Sequence, residues 1–253
     1  MPEQRKTFHN ELDEIRDDIV RLGALVGELI PRGTQILLSN DMAGAQRLIE
    51  DDDILDDLSL RIEEKCYQVL ALQQPMASDL RSIVTGLWLT GELERSGDLM
   101  VNVAKGARRI YGVEMDPRLK GLIERMSEQA SRLMKLALDS YAERNASLGS
   151  AIDDIDDQLD LIHGDYIETI FETHASSQIG LQASVQLALI GRYYERIGDH
   201  AVNIGQRVQY MVTGWLPERA GAARLEARRL LTGEMPAIVL EPDAATDPEI
   251  GNG

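Results

Sequence analysis

The chain has 253 residues, 43% of them hydrophobic but only 4% aromatic, and 26 basic against 43 acidic side chains leave a net charge of −17. So negative a field repels nucleic acid and anionic membrane surfaces, and it favours cations and basic protein surfaces as partners. Aliphatic apolar residues suit packed helices better than an aromatic-rich β-sandwich. No stretch approaches the roughly 18 uninterrupted apolar residues of a membrane span. The one cysteine, Cys66, cannot close an intramolecular disulfide, and no signal-peptide pattern opens the chain. It therefore reads as cytosolic, with Cys66 a small core residue and any membrane link made through a partner.

Proline and glycine are sparse inside long periodic segments and gather between them, the punctuation of an all-helical protein. The spacing predicts a first helix from about Thr7 to Leu38, with Pro31 as a kink or an early end. Asn40 or Asp41 caps a second, which runs to about Leu72, where the QQP of residues 73–75 stops it. Ser78 or Asp79 starts a third, ending near Tyr111 and Gly112. Asp116 followed by Pro117, a capping acid before proline at the first helical position, opens a fourth that reaches about Arg144. Ser147 or Ser150 starts a fifth, to about Thr173, and a sixth runs from about Ser177 to Val212, ahead of Gly214 and Pro217. Helices of about 28 residues are some 40 Å long, which is bundle geometry.

The third and sixth helices carry one phrase twice, ERSGDLMVNV at 94–103 and ERIGDHAVNI at 195–204. Setting Glu94 on Glu195, an offset of 101, aligns Arg95 with Arg196, Gly97 with Gly198, Asp98 with Asp199 and Asn102 with Asn203. The acidic segments IEDDDILDDL (49–58) and IDDIDDQLDLI (152–162) stand at similar distances ahead of the two copies. A repeat this long is a duplicated domain, not a solenoid. The expected fold is all-α: two tandem pseudo-symmetric three-helix bundles over residues 1–112 and 113–214. Residues 215–253 follow, first PERAGAARLEARRLL as a short basic helix and then TGEMPAIVLEPDAATDPEIGNG as a disordered acidic tail.

At about 100° per residue, Ile190, Tyr194, Ile197, Ala201, Ile204 and Val208 share one arc of the sixth helix, and Glu195, Asp199 and Asn203 lie nearly opposite. On the third helix Leu93, Met100, Val103 and Ala104 face the core while Glu94, Asp98 and Asn102 face away. Asp52 and Asp56 border the apolar arc of the second helix, and Asp156 and Asp160 that of the fifth, which places all these acids on or near the surface. A solvated helix face usually sets Glu against Lys or Arg at i, i+4; acid against acid at that spacing is destabilising by about 0.2–0.5 kcal/mol. It occurs here in four helices. Carboxylates one turn apart on adjacent helices can instead share a cation, with Asn102 and Asn203 adding an amide oxygen or an outer hydrogen bond. A mid-helix glycine costs about 1 kcal/mol against alanine. Gly97 and Gly198 thus point to a close approach by a neighbouring helix or a metal cluster. Arg95 and Arg196 read as ion-pair partners of the acids, and His200 as a residue on the exposed side that could serve as a ligand.

The paired ERxGDxxxN elements, the QQPMASDLRSI connection, the IEEKC of residues 62–66 and the duplicated six-helix layout resemble the PhoU family of accessory regulators of bacterial phosphate uptake. The resemblance spans roughly residues 7–213. It implies multinuclear metal clusters on surface motifs of the form acid, three residues, Asp. By position these are Asp52 with Asp56, Glu94 with Asp98, Asp156 with Asp160, and Glu195 with Asp199, while Asp53 and Asp157 are rivals in register. Fe, Zn, Mn or Mg are the candidate ions. It also implies a negative regulator that links the phosphate ABC importer, through its ATPase subunit, to a membrane sensor histidine kinase. The expected partners are those two proteins and a second copy of the chain, as a homodimer, with no nucleic acid and no direct membrane insertion.

Two other classes compete with this one. A carboxylate-bridged di-metal enzyme needs Glu-x-x-His pairs that point into a bundle core, and no glutamate here has histidine three residues on. An acidic helical scaffold without metal differs from the favoured reading in metal content alone. Neither a Walker-type phosphate loop nor a Ser/His/Asp or Cys/His constellation is visible, so the expectation is a protein that is not an enzyme.

Overall fold

The amphipathic periodicity resolves into seven helices in the computed structural model, which describes residues 2–215, with side chains from residue 7 on. They are α1 (Pro2–Ser39), α2 (Met42–Glu50), α3 (Asp52–Gln73), α4 (Ser78–Arg109), α5 (Pro117–Ala142), α6 (Ala146–Ala175) and α7 (Leu181–Thr213). Among the described residues there is no strand, and no helix is long and apolar enough to cross a membrane. The all-α fold of two tandem bundles is as expected. The expected structure of residues 216–253 lies outside the described residues.

Two local features differ from the sequence reading. α1 does not end at Pro31, one of the two outcomes expected of that proline, but continues to Ser39. The proline ring sits exposed while Ile30, Thr34 and Leu37, all buried, hold the helix in the core on both sides of it. The single second helix is instead two. Asp41 caps α2 by accepting from the Gly44 amide at 2.8 Å, and the chain breaks at Asp51 before α3 begins. Four consecutive acids, Glu50 to Asp53, repel one another along a continuous helix. Asp51 turns aside and pairs with Arg32 of α1 at 2.9 Å. The cap at Asp116 is as expected, its carboxylate accepting from the Arg118 amide at 2.7 Å ahead of Pro117.

Helices α1, α3 and α4 form one bundle and α5, α6 and α7 the other. The halves meet where α4 packs on α7 and α1 packs on α5. α4 and α7 run antiparallel, since Arg81 donates to the Met211 carbonyl, Arg207 stacks on Trp88, and Gly106 lies against Ile190. Beneath them the core is continuous from Ile19, Leu22 and Val26 through Leu93 and Met100 to Tyr166, Ile190 and Ile197, with Cys66 buried as expected. One polar cluster lies inside it: Thr34 Oγ donates to the Ile30 carbonyl (2.7 Å) and shares hydrogen bonds with Ser127 Oγ (2.8 Å) and Tyr194 OH (2.7 Å). Three helices of the two halves meet at this one hydroxyl.

α6 crosses α7 at a pair of glycines, Gly149 and Gly205. A side chain on Gly205 would put its first carbon 2.5 Å from the Gly149 carbonyl oxygen, a backbone atom that moves only with its helix. Gly205→Ala should therefore force the helices apart and lower stability by about 1–3 kcal/mol, as overpacking does. Gly164→Ala, in an exposed turn of α6 with nothing within 4 Å, should raise it by up to about 1 kcal/mol. Chemical denaturation of the two variants checks the pair of opposite signs.

Candidate functional site

The antiparallel seam and its flanking helices decide where the acids go. Asp52 and Asp56 rise from α3 beside Glu94 and Asp98 of α4, and Asp156 and Asp160 rise from α6 beside Asp199 of α7, so the eight acids gather as two faces, one per bundle. The same asymmetry recurs in all four helices. The first acid of each pair, Asp52, Glu94, Asp156 or Glu195, is half-buried at the seam between helices, whereas the second, Asp56, Asp98, Asp160 or Asp199, is exposed. All eight were expected on or near the surface, and the first four lie only partly open there because the neighbouring helix packs over them.

Burial raises the Asp52 carboxyl above its usual range, and Asp56 and Asp98 add to the effect. Burial also raises Glu94, with Asp98 and Asp56 adding like-charge repulsion. Asp156 goes furthest. Burial, then the charges of Asp160 and Asp199, push it up to about 7. The rivals in register, Asp53 and Asp157, are exposed, and the packing favours Asp52 and Asp156 as the inner member of each pair.

Gly198 has the steric reason expected of it, since a side chain there would collide with Asp156 Oδ1 and with Leu159, whose Cδ2 lies 2.7 Å away. The missing side chain is what lets α6 carry Asp156 against α7. Gly97 plays a milder version, with Leu55 of α3 at 3.3 Å. On the second face Asp153, Asp154, Asp156, Asp157, Asp160 and Asp199 line a cleft of about 500 Å³, into which Arg196 and Asn203 also reach. Glu195 stands behind this wall, its side chain 13% exposed and ion-paired with Arg192.

Among the eight motif acids, two buried carboxylate oxygens, Asp156 Oδ1 and Glu195 Oε2, have no hydrogen-bond partner. Hard oxygen donors, orphaned oxygens and a proton retained near neutral pH fit a cation chemically. Among the described residues, however, no three His, Cys, Asp or Glu side chains stand ready as a ligand cage. An ion would have to draw the carboxylates together by side-chain rotation.

Three basic side chains differ from expectation. His200 is not on the exposed side but 5% exposed, because the α4 contact covers that part of α7, and its Nδ1 lies 2.6 Å from Glu92 Oε2. Arg95 pairs not with Glu94 or Asp98 but with Glu92, at 2.9 Å. Arg192, which the sequence reading passed over, pairs with Glu195 and reaches Asp199 at 3.8 Å, while Arg196 is exposed.

Glu92 was missed altogether. It also accepts from Asn203 Nδ2 at 3.0 Å. Burial by itself would raise its carboxyl, but the hydrogen bonds from His200 and Asn203, with the charges of His200 and Arg95, outweigh burial and hold it below the usual range. The available signal was an acid standing inside the apolar arc set by Leu89, Leu93 and Met100.

The PhoU domain model matches twice, at residues 19–107 and 123–208. The phosphate-specific transport system accessory protein PhoU homolog of Rhizobium meliloti is 33% identical over 211 residues, covering 83% of this chain and 89% of that protein. PhoU homolog 2 of Mycobacterium tuberculosis is 32% identical over 214 residues, covering 84% of this chain and all of its own length. Among solved structures, PhoU from Pseudomonas aeruginosa superposes with a TM-score of 0.77 at 29% identity, over 82% of this chain and all of that one. The phosphate transport system regulatory protein PhoU from Streptococcus pneumoniae gives 0.76 at 27% identity, over 83% and 98%.

The raised Asp156 predicts a pH dependence of defined sign. The metal-free folded chain keeps this proton to about pH 7, whereas the unfolded chain loses it near its ordinary 3.8. The folded state binds more protons across that window, so this group's contribution to stability falls as pH rises from about 4 to about 7. In chelator-treated protein, Asp156→Asn should therefore raise the melting temperature more at pH 8 than at pH 4. Thermal melts at the two pH values check it, and an equal shift at both would mean that the carboxyl ionises normally.

Proposed function

The chain belongs to the PhoU family, and from that premise we propose that it is a negative regulator of phosphate uptake and of the phosphate-starvation response. It acts by binding, not by catalysis, at the cytoplasmic side of the membrane. Its partners are the ATPase subunit of the phosphate ABC importer and a membrane sensor histidine kinase. The observation that carries the reading is the pair of half-buried carboxylate faces, one on each of the halves 1–112 and 113–214, built on the phrase the chain writes twice.

Each face would hold a cation between the acids of two helices, Asp52, Asp56, Glu94 and Asp98 in one and Asp156, Asp160, Glu195 and Asp199 in the other. The donor set is compatible with Fe, Zn, Mn or Mg. A bound cation supplies the positive charge that lets all the carboxylates of a face ionise together. The chain's own part is to hold the inner acid of each pair at the helix seam, where its desolvation makes it responsive to such a charge. Occupancy would also reduce the local negative field and so tune docking on basic surfaces.

Changing Glu94, Asp98, Glu195 and Asp199 to Ala should lower the metal content of the purified protein, measured by elemental analysis, with helical content by circular dichroism unchanged because the core arcs are untouched. The full chain should co-purify with the importer's ATPase subunit and with the sensor kinase at low salt, and a deletion strain should express phosphate-starvation genes even when phosphate is plentiful. A strain that still represses those genes normally, from a chain that retains neither partner, would defeat the proposal.

A further inference from the structure

Leu80, Val84 and Trp88 follow one another one turn apart on α4, and Leu181, Val185 and Leu189 do the same on α7. Under the offset of 101 these are the same three positions written twice. Five of them are between 41% and 68% exposed, and Val84 is half-buried. A lone exposed leucine needs no explanation. An apolar stripe left open at the same three positions in both copies, while the sequence around it has diverged, asks for one.

The packing of α4 on α7 puts both stripes on one side of the molecule. Two antiparallel copies of one helix are exchanged by a two-fold axis normal to the plane that contains them, and such an axis keeps an outward side outward. The contacts fit this relation. Trp88 meets Arg207; their counterparts are Leu189 and Gly106, and Gly106 lies against Ile190, next to Leu189. The two helices are also more basic than acidic, against the balance of the whole chain. α4 and α7 together carry eight Lys and Arg against six Asp and Glu, and of those six Glu92 is buried and Glu94 and Glu195 half-buried. Arg95 and Arg196 lie exposed between the two stripes, and the Arg207 guanidinium sits 3.8 Å over the Trp88 ring.

We propose that the outward side of α4 and α7 is a bipartite docking surface for a homodimeric protein, each of whose subunits presents an acid-bordered apolar patch to one of the two stripes. Two equivalent stripes about an internal two-fold axis match a partner with a true two-fold axis, which offers the same patch twice. The arginines complement an acidic border and disfavour a second copy of this chain, which would bring the same arginines to the contact. The inference rests on the reading that the protein works by docking, and adds the face, the partner's symmetry and the ratio of one chain to two partner subunits.

The test uses the full chain and, as probe, the purified ATPase subunit of the phosphate importer. Trp88→Ser and Leu189→Ser are compared singly and together with Leu80→Ser plus Leu181→Ser, and with Phe171→Ser on α6 as a control exposed elsewhere. Because these side chains are exposed, the variants should melt near the wild type. Each of Trp88→Ser and Leu189→Ser should weaken binding about tenfold or more, as anchors at a docking centre do; both paired variants should weaken it further, and Phe171→Ser should leave it unchanged. Native mass spectrometry should give one chain on two ATPase subunits. Variants that bind as the wild type does, or a complex of one chain with one subunit, would overturn this face while leaving the docking reading intact. A wild-type chain that forms no complex overturns both. Self-association, or sedimentation with phosphatidylserine vesicles, that is lost in the paired variants would assign the face to a second copy or to lipid, and so overturn the proposal.

Discussion

One helix, copied and turned end for end against itself, sets the geometry of everything around it. Where α4 meets α7 the chain buries a carboxylate, Glu92, and surrounds it with donors drawn from both halves: His200 and Asn203 from one, Arg95 from its own helix. A carboxylate taken out of water without partners would cost several kcal/mol, so the seam is stable only in the register that brings His200 and Asn203 to it. That register fixes which turns of α4 and α7 face α3 and α6, and hence where the motif acids come together.

The two carboxylate faces follow as a compromise between packing and repulsion. Gly198 removes the side chain that would keep α6 away, and the helix that closes in brings Asp156 with it, half out of water and among Asp160 and Asp199. Asp156, Asp160 and Asp199 converging with only Arg192 close to one of them work against the fold. The aliphatic core beneath, from Ile162 and Tyr166 to Ile197 and Ala201, is what holds them there. The strain stays at the surface, at the side chains able to respond to an arriving cation or basic partner, while the interior is conventionally packed.

Much of this was legible in the residues. The long helices, the duplication, the cap at Asp116 and the eight acids could be read because each depends on local periodicity or on a phrase repeated within the chain. What the sequence hid depends on the neighbouring helix. His200 lies between the polar Arg196 and Asn203 on its helix, and only the contact with α4 buries it. Glu92 stands in an apolar arc with nothing local to mark it, and its partner His200 is 108 residues away. Pro31 left a kink or an early end open, and flanking core contacts carry the helix past it despite the hydrogen bond that it removes. The break at Asp51 needed Arg32 of another helix to make it favourable.

The hydroxyl of Thr34 carries a different consequence. Its partners Ser127 and Tyr194 lie 93 and 160 residues further along, so until nearly the whole described chain has been made the hydroxyl has the Ile30 carbonyl of its own helix alone. Contacts so distant in sequence slow the search for the native state and keep apolar surface exposed meanwhile. A cut that separated the halves would take from Ser127 and Tyr194 the hydroxyl that α1 supplies to both.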